Sequence, residues 1–437
     1  MNKTKRETHM LSSLTKSTYE AILKAELRPA MGCTEPIAIA YAAAILREAL
    51  GDMPSEIDAK FSGNIIKNVK SVIVPATGGK HGIEAALCAG LVSGRADKKL
   101  EVLTVLTSEN EAEIDALMKS CNIKVSKMSS GCSFGLELYA SAGDNSASVK
   151  IDGAHTNVIS VMSNGSDITE KYAEQTIVEE SGDAPDLTLL NVQDIVEFAD
   201  TCDLTELRPY LKRQIELNLA IAEEGLRGNW GANIGKVMLS MGGDLSRKAR
   251  AYAAAGSDAR MSGCEMPVCI ISGSGNQGIT SSVPVAIYAM EMGKSEDEML
   301  RALLVSDLIT IHQKTGIGTL SAYCGAISAG VGAGAGVCYL NGGRFADIAH
   351  TLVNSVAILS GTICDGAKPS CAAKIAAAVD AGILGYEMWR NGDEFKGGDG
   401  IVTKGVDATI ANVGVLAKEG MQLTDKVILE IMTHRCD

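Results

Sequence analysis

Residues 315–343, TGIGTLSAYCGAISAGVGAGAGVCYLNGG, run without a charge between Lys314 and Arg344. The stretch is long enough to span a bilayer. It consists mostly of Gly, Ala and Ser, which gain little from lipid, so it predicts a tightly packed interior helix and no membrane segment. The whole chain shares this texture. Among 437 residues there are 46 glycines, against 2 Trp, 10 Tyr and 5 Phe. A core so poor in rings must be filled by Ala, Val, Ile, Leu and Met, with small positions letting helices approach closely.

Working outward, residues 12–50 predict one or two helices, interrupted by Pro29 and the loop Met31-Gly-Cys-Thr-Glu-Pro36. Pro36 suits the first turn of the helix that follows. Between 56 and 175 the pattern changes to short alternating runs at 137–140, 148–151 and 157–162, separated by Gly, Asn and Asp, with helical spacing over 111–119. From about 180 onward the pattern is nearly all helical, with glycine-rich breaks at 226–235, 272–278, 316–343 and 361–371. The expected class is therefore α+β and mainly helical. A glycine-rich helical domain would use residues 1–55 and 176–437, with a smaller α+β module, 56–175, inserted into it.

The net charge is −13. Neutralising phosphates needs a basic face, so nucleic acid is excluded as a partner. A small molecule or a second copy of the chain, as a homodimer, is the expected partner. The opening MNKTKRETHM has no apolar h-region, and the protein reads as cytoplasmic. Twelve cysteines in a reducing compartment point to buried thiols, a metal or cluster site, or a nucleophile. Cys88 and Cys338 lie in apolar runs and read as packing residues. No CxxC pair occurs, which removes zinc ribbons and thioredoxin motifs.

Glycine, small polar residues and cysteine coincide in four places. In Gly32-Cys33-Thr34-Glu35-Pro36, a cysteine at a helix mouth sees the positive end of the dipole, which favours thiolate; the alternative is a buried thiol. Ser272-Gly273-Ser274-Gly275-Asn276-Gln277-Gly278 satisfies G-x-G-x-x-G, and Glu298 falls about where a ribose-binding acid would. The following segment, with Pro284 and a Met-rich helical run, is wrong for a dinucleotide fold. A nest of N–H groups able to hold a carboxylate or phosphate survives that objection. The last two places are the loops carrying Cys324, and Cys364 with Cys371. Three thiolates from two loops suit a [4Fe–4S] cluster with one open iron, or they are packing cysteines. His155 either lines the cleft or is structural. Lys80 in Thr77-Gly-Gly-Lys80 is the best candidate for a pyridoxal-phosphate Schiff base.

Together, RPAMGCTEP (28–36), SGSGNQGI (272–279), KTGIGTLSAYCGA (314–326) and GTICDGAKPSC (361–371) resemble the L-cysteine desulfidase family, the UPF0597 group. That family is related to the iron–sulfur L-serine dehydratases. The resemblance covers essentially the whole chain. It implies a pyridoxal-independent β-elimination of L-cysteine to pyruvate, ammonia and sulfide. Cys33 matches the cysteine proposed there as base, and Cys324, Cys364 and Cys371 match the three cluster ligands. The GCTEP loop and the seven-residue spacing of the last two cysteines depart from the serine dehydratases and favour cysteine as substrate. L-Serine with the same cluster, a pyridoxal-phosphate lyase, and a non-catalytic cluster-bearing sensor are the alternatives.

Overall fold

The computed structural model describes residues 11–128, 134–172, 185–318 and 321–434. The chain opens with α1 (Ser13–Glu26), whose first turn is capped by the Ser12 hydroxyl accepting the Thr15 N–H at 3.0 Å. A short strand β1 (Arg28–Met31) and helix α2 (Thr34–Leu50) follow. Every residue of α2 from Thr34 to Leu46 is buried, so this helix must be covered on all sides.

Part of that cover is a six-stranded sheet of β2 (Glu56–Phe61), β3 (Asn122–Lys127), β4 (Gly135–Ala142), β5 (Asn145–Asp152), β6 (Val158–Ser163) and β7 (Ser166–Asp167), in the order β3-β2-β4-β5-β6-β7. Helices α3 (Gly63–Val69), α4 (Ile83–Ser93) and α5 (Glu111–Ser120) intervene between β2 and β3. That crossover allows the one parallel pairing; the other pairs are antiparallel. On β5, Ala147, Val149 and Ile151 point into the core, while Tyr139 on β4 is exposed on the other face. α2 shares one apolar core with the sheet and α4, because a helix apolar all round needs a second covering layer.

The remaining helices are α6 (Val192–Thr201), α7 (Arg208–Arg227), α8 (Ile234–Ser240), α9 (Leu245–Met261), α10 (Gly275–Glu291), α11 (Glu296–Ile317), α12 (Gly325–Leu340), α13 (Phe345–Ile358), α14 (Cys371–Arg390), α15 (Val406–Val415) and α16 (Gln422–His434), with strand β8 (Pro267–Ile270) before α10. The class is thus mainly helical α+β. The uncharged stretch is broken near its start and then becomes α12, buried from Ala326 to Leu340. A Cβ on Gly330 or Gly334 would collide with the backbone of α14, and one on Gly332 with Thr310 and Ser306 of α11. Glycines on two faces let α12 sit between both neighbours, the close packing that its composition predicts. Among the described residues no helix is long and apolar enough to cross a membrane.

Two short antiparallel contacts then assemble distant segments. β1 pairs with β8, Arg28 opposite Ile270 and Met31 opposite Pro267, which lays the loop after β1 beside the loop after β8. Tyr323 bridges Ile363, with the Cys324 N–H donating to the Thr362 carbonyl at 2.9 Å and the Cys364 N–H to the Ala322 carbonyl at 2.6 Å.

Candidate active site

These contacts surround a cavity of about 110 Å³, lined by Cys33, Ser272, Gly273, Ser274, Asn276, Gln277, Cys324, Cys364 and Cys371 together with residues from elsewhere in the chain. That is well below the ~300–1,000 Å³ of pockets for drug-sized ligands, so the cavity suits a small one. Four helices begin at its wall: α2 at Cys33, α10 at Ser274, α12 at Cys324 and α14 at Cys371. Each contributes the positive end of its dipole.

Cys33 occupies the N-cap of α2, but its thiol does not gain from the dipole as the sequence predicts. Burial and the adjacent Glu35 carboxylate push its pKa up. The thiol donates to Glu35 Oε2 at 3.3 Å, an oxygen that also accepts from the Thr34 hydroxyl at 3.1 Å. Asn68 donates to Oε1 at 2.9 Å. Burial alone would raise the Glu35 pKa; nearby His155, its own backbone N–H, Cys33 and Arg260 outweigh this, so it is lowered. His155 lies against Phe134 with ring centroids 4.6 Å apart. Burial drives its pKa down, and its Nε2 has no hydrogen-bond partner.

The loop 272–278 is not an open nest. The Ser272 N–H donates to Glu26 at 2.7 Å and the Ser274 N–H to the Ile271 carbonyl at 2.9 Å. Its glycines are explained by geometry. Ser272 and Gly273 take positive φ of 47° and 72°, and side chains on Gly275 and Gly278 would collide with Arg260 and the Cys269 carbonyl. β8 stands in a two-stranded antiparallel ribbon, far from a dinucleotide fold. The N–H groups of Gly275, Asn276 and Gln277 belong to the first turn of α10, at the positive end of its dipole.

Of the ten described cysteines, Cys324, Cys364 and Cys371 are the three that are not fully buried. The thiols of Cys324 and Cys364 are hydrogen-bonded to each other. That bond, with Lys67 and Lys374 nearby, lowers the Cys364 pKa despite burial, while the Cys324 pKa is raised. Among the described residues no three His, Cys, Asp or Glu side chains stand close enough to hold a single metal ion. A cubane cluster spreads its ligands over separate irons, and three soft sulfurs around one cavity fit that group better than a mononuclear metal.

The sequence reading missed Glu35, Asn68, Arg260 and Lys314 as site residues, although all four line the cavity. Lys314 is buried; burial pulls its pKa down to about 8 against the opposing pull of Cys364, Cys324 and Glu26. Lys80 instead pairs with Asp115 at 3.2 Å and does not line the cavity.

The serine dehydratase alpha chain family matches residues 97–430, which include the three cysteines and the 272–278 loop but not Cys33. A UPF0597 protein of Desulfitobacterium hafniense (strain Y51) is 51% identical over 420 residues, covering 96% of this chain and 97% of that one. A UPF0597 protein of Treponema denticola is 46% identical over 430 residues, 96% of this chain and 99% of its own. One from Phocaeicola vulgatus is 37% identical over 437 residues, 98% and 100% of the two chains. Matched over most of its length by the one family and nearly end to end by these relatives, the chain belongs to the UPF0597 group of serine dehydratase alpha-chain-like proteins.

Proposed function

We propose that this dehydratase-like enzyme is an iron–sulfur L-cysteine desulfidase, which eliminates sulfide from L-cysteine to leave pyruvate and ammonia without pyridoxal phosphate. The observation that carries the reading is the meeting of Cys324, Cys364 and Cys371 with Cys33 and the start of α10 around one small cavity. Those three cysteines would hold a [4Fe–4S] cluster, and when bound it supplies a Lewis-acid iron for the substrate's leaving sulfur. The protein does the rest. Cys33, once ionised, takes the α-proton, and the Glu35 carboxylate that accepts the thiol's hydrogen bond orients it. The first turn of α10 and the other helix N-termini stabilise negative charge as it builds on the substrate carboxylate. Burial of Cys33 and Glu35 keeps water from competing for the proton.

The test is anaerobic iron and sulfide analysis of the purified protein, with pyruvate and sulfide release measured on L-cysteine and pyruvate release on L-serine. Stoichiometric iron with turnover of L-cysteine supports the reading; turnover of L-serine alone makes the enzyme a dehydratase in the strict sense. Replacing Cys324, Cys364 or Cys371 singly with Ala is expected to remove the iron and abolish turnover, because each is one of only three protein ligands. Cys88→Ala and Cys338→Ala are expected to leave iron content unchanged.

A further inference from the structure

Arg260, in the last turn of α9, is among the largest fully buried side chains, 2% exposed. Among the described residues it makes no ion pair, and its Nε has no hydrogen-bond partner. An unpaired buried guanidinium costs several kcal/mol, so a fold that keeps one usually has a ligand to set against it. The Glu35 carboxylate feels the Arg260 charge but makes no hydrogen bond to it among the described residues; its oxygens accept from Asn68 on one side and from Cys33 and Thr34 on the other. Arg260 lines the cavity, and the absence of a side chain at Gly275 leaves room for it at the start of α10.

A planar fork of donors beside the first-turn N–H groups of α10 matches a planar anion with two oxygens. We propose that Arg260, together with the first turn of α10, binds the α-carboxylate of a small amino acid. This rests on the desulfidase reading for the identity of the amino acid, and it concerns a residue that reading leaves unused. It orients the substrate by its carboxylate end, so that the α-hydrogen and the β-substituent face Cys33 and the three cysteines.

The experiment measures ligand binding to anaerobically reconstituted wild type, Arg260→Met and Arg260→Lys by thermal shift and by competition with L-cysteine turnover. The probes are L-alanine and L-serine, with cysteamine and ethanolamine as counterparts that lack the carboxylate. The wild type is expected to bind the amino acids better than the amines. Arg260→Met is expected to weaken the amino acids about 10²-fold, the scale of removing one member of a buried charge pair. Binding of the amines should be unaltered, and Arg260→Lys should recover part of the loss. Unliganded Arg260→Met should melt no lower than the wild type, because it loses an unpaired buried charge.

Equal affinity for amino acids in wild type and Arg260→Met overturns the proposal. So does a lowered melting temperature with carboxylate selectivity intact, which would make Arg260 structural, and so does a wild type that prefers no amino acid over its amine. The desulfidase reading fails separately. If wild type releases no sulfide from L-cysteine yet binds carboxylates through Arg260, only that reading falls. If sulfide is released with the same KM in Arg260→Met, only the Arg260 assignment falls.

Discussion

Cys33 illustrates two opposing fields at one atom. The α2 dipole favours its thiolate, while burial and the Glu35 carboxylate favour the thiol, and the thiol prevails. Cys33→Ser is expected to keep the iron content and the resting spectrum but lose ~10²–10⁴ in rate, the usual cost of a missing general base. The variant should also fail to exchange the substrate α-hydrogen with solvent. A resting spectrum changed before substrate is added would make Cys33 a fourth iron ligand instead. The cysteines were legible in the sequence because thiols beside glycines and small polar residues are unusual. Arg260 and Lys314 were not, since long cations are normally exposed and nothing in their helical surroundings marks an inward face. Lys80 had the local glycines of a ligand loop, but only the fold reveals that its ammonium turns to Asp115.

Among the elements, α12 was the most legible and its packing is the most exacting. Alanine is a better helix former than glycine by ~1 kcal/mol. Gly330→Ala is nevertheless expected to destabilise by ~1–3 kcal/mol in urea unfolding, because the added methyl meets the backbone of α14, which cannot rotate away. Gly342→Ala lies after the helix with open space around it, so any cost there reflects its positive φ alone. A second element holds a buried carboxyl. Asp307 on α11 accepts from Gln214 on α7 at 3.0 Å and from Ser281 on α10 at 2.9 Å, leaving Oδ2 without a partner. Burial pushes its pKa up from 3.8 to about 7 despite those bonds. A carboxyl raised in this way contributes stability that is full below about 3.8 and lost as pH rises through about 7. At ~1.4 kcal/mol per unit the loss is on the order of a few kcal/mol. The wild type is therefore expected to lose stability relative to Asp307→Asn as pH rises from about 4 to about 7, with a constant difference above that. Parallel melting curves would mean that Asp307 ionises in both states alike.

At the scale of the whole molecule, the sequence yielded the α+β class because two hydrophobic periods alternate along the chain. It could not yield the partnership of α2 with the sheet, which depends on contacts between segments whose patterns look independent. The same is true of the ribbon that brings Thr34 within 2.9 Å of the Gly273 carbonyl, 239 residues away. That ribbon also has a bearing on biosynthesis. Ribosomes add ~5–20 residues per second, so Cys371 leaves the tunnel roughly 20–70 s after Cys33. Until then β1 has an edge without β8 for part of that time, and the four helix starts that wall the cavity do not coexist. Iron delivered to a nascent chain would meet scattered thiols, each prone to oxidation, in place of a prepared pocket. On the proposed cluster reading, assembly therefore follows translation, and a chain stopped before α14 is expected to accumulate no cluster however much iron and sulfide the cell supplies.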